Sequence, residues 1–135
     1  MAWSVDFYEE PDGGAPVEIF LHGLPKQQRA KALALIKLLE EQGTGLPFPY
    51  CSQVRGPLRE LRTRFGKTRL RILYFADSRR IFILLHGVVK STEKLPESDI
   101  QKAEERIAVH GLRLEEGDSN GDTMDSLFRT TAGRS

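Results

Sequence analysis

The 135-residue sequence predicts an α+β domain, an antiparallel sheet with helices packed on one face, in the order strand, helix, helix, strand, strand, strand, helix. Three observations carry this. An N-terminal strand pattern is followed by two helix-period stretches, and three strand-length apolar stretches then follow with short breaks before a last helix-period stretch. Breaks as short as "GKT" and "DSR" force antiparallel hairpins, because a parallel crossover needs about a dozen residues or more.

Each element has its own signal. "WSVDFYE" alternates Trp3, Val5 and Phe7 with Ser4, Asp6 and Tyr8, the period of a half-buried strand. "APVEIFLHGL" places Val17, Phe20 and Leu21 on one helical face before Gly23 and Pro25 end it. In "PKQQRAKALALIKLLEEQG", Pro25 suits the first turn, Ala32, Leu35, Ile36 and Leu39 form the apolar stripe, and Gly43 is the stop. "TGLPFPYCSQ", with two prolines and little periodicity, reads as a loop. Strands are expected at 57–65, 69–77 and 80–89. Along the middle one, Arg69, Arg71, Leu73 and Phe75 share one side, and Leu70, Ile72, Tyr74 and Ala76 the other. Arginine and tyrosine would therefore meet only at a curved edge or a bulge. "PESDIQKAEERIAVHG" closes the domain as a helix, with Ser98 as N-cap, Ile100, Ala103 and Ile107 as its buried line and Gly111 as its stop. The domain is thus expected at 1–111, and the polar, acidic residues 112–135 are expected to be a disordered tail, with Leu127 and Phe128 as an apolar anchor should it dock.

Composition narrows the function. The length suits one domain with a real core. No apolar run approaches the roughly 18 residues of a membrane span, and the start shows no secretory pattern. No membrane association is expected, and the cytoplasm is the expected compartment. Cys51 is the one cysteine, which excludes an internal disulfide. His22, His86 and His110 have no ligand spacing with it, and there is no HExxH, paired CxxC or Gly-rich phosphate loop. Neither a metal nor another cofactor is expected.

The net charge of +1 conceals its distribution. Residues 1–54 carry four Lys/Arg against seven Asp/Glu, residues 55–94 eleven against three, and residues 95–135 five against nine. The balance runs −3, +8, −4. "LRELRTRFGKTRLRILYF" alone holds six cations in eighteen positions. A run of charge is commonly a solvated face; cations concentrated on the strands of one small sheet must share a surface, which points to a polyanion.

The "LRELR" and "RILYF" strands, the "LLHGVVK" strand end, the "KLP" turn into a charged helix, and the paired helices of "FLHGLPKQQRAKALALIKLLEEQG" occur in the order found in the HigB-like, phage-derived branch of the RelE/ParE toxin superfamily. Over residues 2–111 the chain resembles that branch. The resemblance implies a RelE-like fold and a toxin of a type II toxin–antitoxin pair, a ribosome-dependent mRNA endonuclease that inhibits translation. Such enzymes use the RNA 2′-OH as nucleophile on the adjacent phosphate, without a metal, and need cations for the charged transition state. Carried onto this chain, the family's residues are Arg62 and Arg71 as phosphate clamps, Lys90 as a third cation and Tyr74 as a further catalytic candidate. Arg55, Arg59, Arg64, Lys67, Arg69 and Lys94 would contact RNA. Each has a structural alternative: Arg62 paired with Glu60, Tyr74 in the core, and His86 satisfied by a backbone carbonyl. Which groups move protons stays open. Arg59 stands where relatives often carry an aromatic, which removes a stacking surface. The implied partners are a helix-turn-helix antitoxin in a hetero-oligomer, the ribosome and mRNA. The alternative is a non-enzymatic protein, either a ParE-like gyrase inhibitor or an RNA-binding module.

Overall fold

The structure, a computed structural model, describes residues 3–120. Its elements are β1 (Ser4–Phe7), α1 (Pro16–His22), α2 (Lys26–Gln42), a 3-10 turn (Gly43–Gly45), β2 (Cys51–Arg55), β3 (Leu58–Phe65), β4 (Thr68–Ala76), β5 (Ile81–Lys90) and α3 (Glu97–Asn120). The strands form one sheet in the order β1-β5-β4-β3-β2. The chain divides into two units, Met1–Glu104 and Glu105–Ser135. The first contains the whole sheet. Among the described residues, no helix is long and apolar enough to cross a membrane.

The α+β class holds, and four features differ from the sequence reading. The helices do not share one face, since the start of α3 meets the face opposite α1 and α2. The sheet is mixed, because β1 runs parallel to β5. Residues read as the end of a loop form the extra strand β2, joined to β3 across Gly56 and Pro57, with Arg55 opposite Leu58. Gly111 does not stop the last helix, which continues to Asn120. Residues 112–120, expected in the tail, are therefore helical, and the apolar pair expected to anchor it lies outside the described residues. A lone interior Gly costs a helix only about 1 kcal/mol, too little to end one that has local reasons to continue.

Strand alternation gives the sheet two unlike faces. Leu61, Leu70, Ile72, Tyr74, Phe82 and Leu84 join Val17, Leu21, Leu24, Ala32, Leu35 and Leu39 in the main core, so α1 and α2 cover this face. Arg29 fastens the two helices by donating to the carbonyls of Leu21 and Leu24, each at 3.0 Å, which satisfies groups left open where α1 ends. The first turns of α3 meet the other face, where His86 Nε2 lies 2.7 Å from Asp99 Oδ1. His86 is thus tied to a carboxylate rather than to a backbone carbonyl alone.

Tyr74, 1% exposed, packs edge-on against Phe82. Burial pushes its hydroxyl up to about 12, partly opposed by Arg59. A hydroxyl held neutral in the folded chain contributes stability that is complete below its ordinary value of 10.0 and declines as pH rises toward about 12. Urea unfolding across that range should show the decline in the parent protein and a smaller one in Tyr74→Phe; matching pH profiles would refute it.

A Cβ on Gly87 would lie 2.3 Å from Cγ of Phe20, so α1 sits on β5 at a separation that glycine alone permits. Gly87→Ala should lower stability by about 1–3 kcal/mol through overpacking, seen as a lower denaturation midpoint with unchanged slope. A neutral or stabilising result would show that the ring moves aside freely.

Candidate nucleic-acid interface

The hairpin of β3 and β4 sets Arg62 opposite Arg71 and Arg64 opposite Arg69, and the next pairing sets Lys90 opposite Arg69. Residues directly across a ladder share a face, so these five cations lie together on the face away from α1 and α2. Unpaired like charges so placed would repel. The carboxylate of Glu60 offsets this for Arg62 and Arg71: one oxygen is 3.3 Å from Arg71 Nε, and the other accepts from Arg62 Nη1 at 3.3 Å and Ser52 Oγ at 2.8 Å.

Arg71 is 3% exposed. Burial lowers its pKa and the Glu60 charge raises it. Its Nη2 also reaches Glu93 Oε1 at 3.2 Å, the oxygen that Arg69 Nε meets at 3.2 Å. Arg69 Nη1 donates to the Ser91 carbonyl at 2.8 Å. Glu93, 66% exposed, thus lays one carboxylate oxygen between two guanidinium groups at the surface. Arg62 Nε is buried and has no hydrogen-bond partner among the described residues.

Arg62, Arg64, Arg69 and Arg71 line one cleft of about 390 Å³ together with Lys31, Pro49, Tyr50, Thr63 and Glu93. The cleft forms where β2 stops pairing with β3 at Leu61 and leaves the rest of that edge without a neighbouring strand. Lys31, from α2, donates to the Arg64 carbonyl there.

The structure thus gathers Arg62, Arg64, Arg69 and Arg71. Lys90 shares their face but does not line the cleft, and Lys67 and Lys94 are exposed and do not line it either. Arg55 is placed elsewhere, in a forked ion pair with Glu97 and Glu104, each at 2.8 Å. This contact raises its pKa and lowers those of both carboxyls. It fastens β2 to the start of α3. Tyr74 and Arg59 occupy the helix-covered face, around a smaller cavity of about 190 Å³ with Cys51 and Phe82, and Arg59 Nη2 donates to Cys51 Sγ at 3.4 Å. No bulge brings Tyr74 round to the arginines; the irregularity between Leu73 and Tyr74 leaves it facing the core. Sequence reading missed Lys31, Tyr50, Glu60 as an organiser and Glu93. The one available signal was Glu60, in strand phase with Arg62.

Residues 19–108, more than half of the chain, match the family model described as phage-derived protein Gp49-like. No curated protein matches. Among solved structures, a chain of the archaeal RelE–RelB complex from Pyrococcus horikoshii OT3 is similar at 21% identity and a TM-score of 0.41, over 64% of this chain and 93% of that one. The chain belongs to the phage-derived Gp49-like family, one of RelE/HigB-like toxins.

Proposed function

We propose that this protein is the toxin of a type II toxin–antitoxin pair and an endoribonuclease that cuts mRNA on the ribosome, in the cytoplasm, by metal-independent attack of the RNA 2′-OH on the adjacent phosphate. One observation carries the reading: four arginines and a lysine line a single cleft, and Arg69 and Arg71 already hold an anionic oxygen, that of Glu93, between them. A phosphate oxygen presents the same charge and the same acceptor geometry. Guanidinium donors aimed at it would stabilise the charge that gathers as the phosphate becomes five-coordinate. Arginine, with a pKa above about 12, is a poor proton acceptor. Among the cleft groups, the Glu93 carboxylate can take a proton, and the Tyr50 hydroxyl and the Lys31 ammonium can give one. Lys90, opposite Arg69, and the exposed Lys67 and Lys94 would extend the phosphate track. The proposed antitoxin is a helix-turn-helix protein that covers this face in a hetero-oligomer and so keeps RNA out.

A second reading, RNA binding without cleavage, is favoured by the depth of Arg71 and its pairing with Glu60. Single-turnover cleavage of ribosome-bound mRNA in the presence of EDTA separates the two. Cut product is expected, and Arg69→Ala should slow it by about 10² to 10³. Arg71→Lys is the more informative change at the deeper position, since truncation would leave Glu60 buried without that partner. Salt-dependent binding with no product in any buffer would establish the second reading.

Binding is tested separately. Log affinity for single-stranded RNA should fall with log salt at about −0.7 per phosphate contact. Glu93→Gln should tighten binding by up to roughly fivefold, the scale of an exposed ion pair, because an internal carboxylate no longer competes for Arg69 and Arg71. A flat salt response would remove this face as the RNA surface.

A further inference from the structure

Beside the cleft, the segment Leu46–Cys51 makes a tight turn anchored at both ends. Leu46 and Cys51 are buried, and Cys51 Sγ donates to the Leu46 carbonyl at 3.1 Å. Tyr50 N donates to the Pro47 carbonyl at 3.0 Å, and Arg62 N to the Tyr50 carbonyl at 2.8 Å. The turn is thereby bonded to the strand that carries the cleft arginines. Between these anchors Phe48 stands 68% exposed and Tyr50 47%. The Arg62 guanidinium carbon lies 5.1 Å from the centroid of the Phe48 ring.

A large apolar ring left in water forgoes the gain that burial against an apolar partner would bring. Here two such rings stand exposed on one braced turn, Tyr50 lining the cleft of cations and Phe48 against Arg62. That combination fits one ligand chemistry. Unpaired bases offer flat apolar faces joined by phosphates, and proteins hold them by stacking on aromatic rings and guanidinium planes while cations take the backbone.

We propose that Phe48 and Tyr50, with Arg62 behind the Phe48 ring, form a nucleobase-stacking subsite that seats an unpaired base of the RNA whose phosphates enter the cleft. The inference rests on the RNA-binding reading and adds a base contact to it. The turn is bonded in place before RNA arrives, so little ordering is left for binding to oppose. Stacking of this kind is tolerant of base identity, because every base has a π-face.

The test uses the full chain and a short fluorescein-labelled 2′-O-methyl RNA, which cannot be cut through its 2′ position, beside an abasic strand of equal phosphate count. Phe48→Ala should weaken binding of the base-containing strand by about 5- to 150-fold, leave the abasic strand unaffected, and leave the salt slope unchanged. Phe48→Trp should retain parent affinity. Equal losses on both strands would overturn the subsite and show that the ring acts by positioning Arg62. No loss on either would overturn it in favour of a protein-docking role for the turn. Wild-type protein that binds neither strand would overturn the RNA reading and the subsite with it. Salt-dependent binding of both strands with no advantage for bases would overturn the subsite alone.

Discussion

The carboxylate of Glu60 is the contact on which the basic face depends. Arg71 lies in the central strand of the sheet, and alternation places its side chain opposite the apolar face under α1 and α2. A cation at that depth is tolerable only with a fixed counter-charge, since removing one partner of a buried pair costs about 3–5 kcal/mol. Glu60 supplies that charge from the neighbouring strand and reaches Arg62 with its second oxygen. Two guanidinium groups are thereby held in one orientation beneath the cleft. The same carboxylate serves stability and site geometry.

From this anchor the cations grade outward by commitment. Arg71 and Arg62 are tied to Glu60; Arg69 is tied to a mobile-length side chain, Glu93, on the surface; Arg64, Lys67 and Lys90 carry no ion pair among the described residues. Graded commitment suits a polyanion site. The inner groups are pre-oriented at little further cost, and the outer ones remain available for phosphates at the ends of the track. The strong positive balance of residues 55–94 is therefore not all ligand-facing charge. Arg55 spends its charge on Glu97 and Glu104, Arg79 on Asp77 at the β4–β5 turn, and Arg80 lies over the ring of Trp3.

The aromatic component arises from a different part of the chain than the family pattern suggests. Arg59, standing where relatives often carry a ring, faces Cys51 and Tyr74 on the covered side of the sheet. An aromatic there would lie away from the cleft in this chain. Phe48 and Tyr50 occupy the cleft side instead, because the turn that carries them is bonded to Arg62. A proline-rich stretch with no periodicity thus becomes a braced rim once β2 and β3 pair.

Local pattern determined most of the fold by itself. The helical stripes, the hairpin breaks and the alternation of Arg69 and Arg71 against Leu70 and Ile72 each follow from the period of a helix or strand, which neighbouring residues set. They fixed the α+β class, the element order and the placing of Tyr74 and Arg71 on opposite sides. Tertiary structure decided everything that depends on which distant segments meet. The parallel pairing of β1 with β5 joins the two ends of the domain, and the pairing of β2 with β3 makes a strand of a weakly patterned segment. Charge balance in the sequence located the basic segment. It could not separate cations turned toward ligand from those spent on carboxylates, because an ion pair such as Arg55 with Glu104 is a meeting in space between residues 49 positions apart, and no sequence period records it.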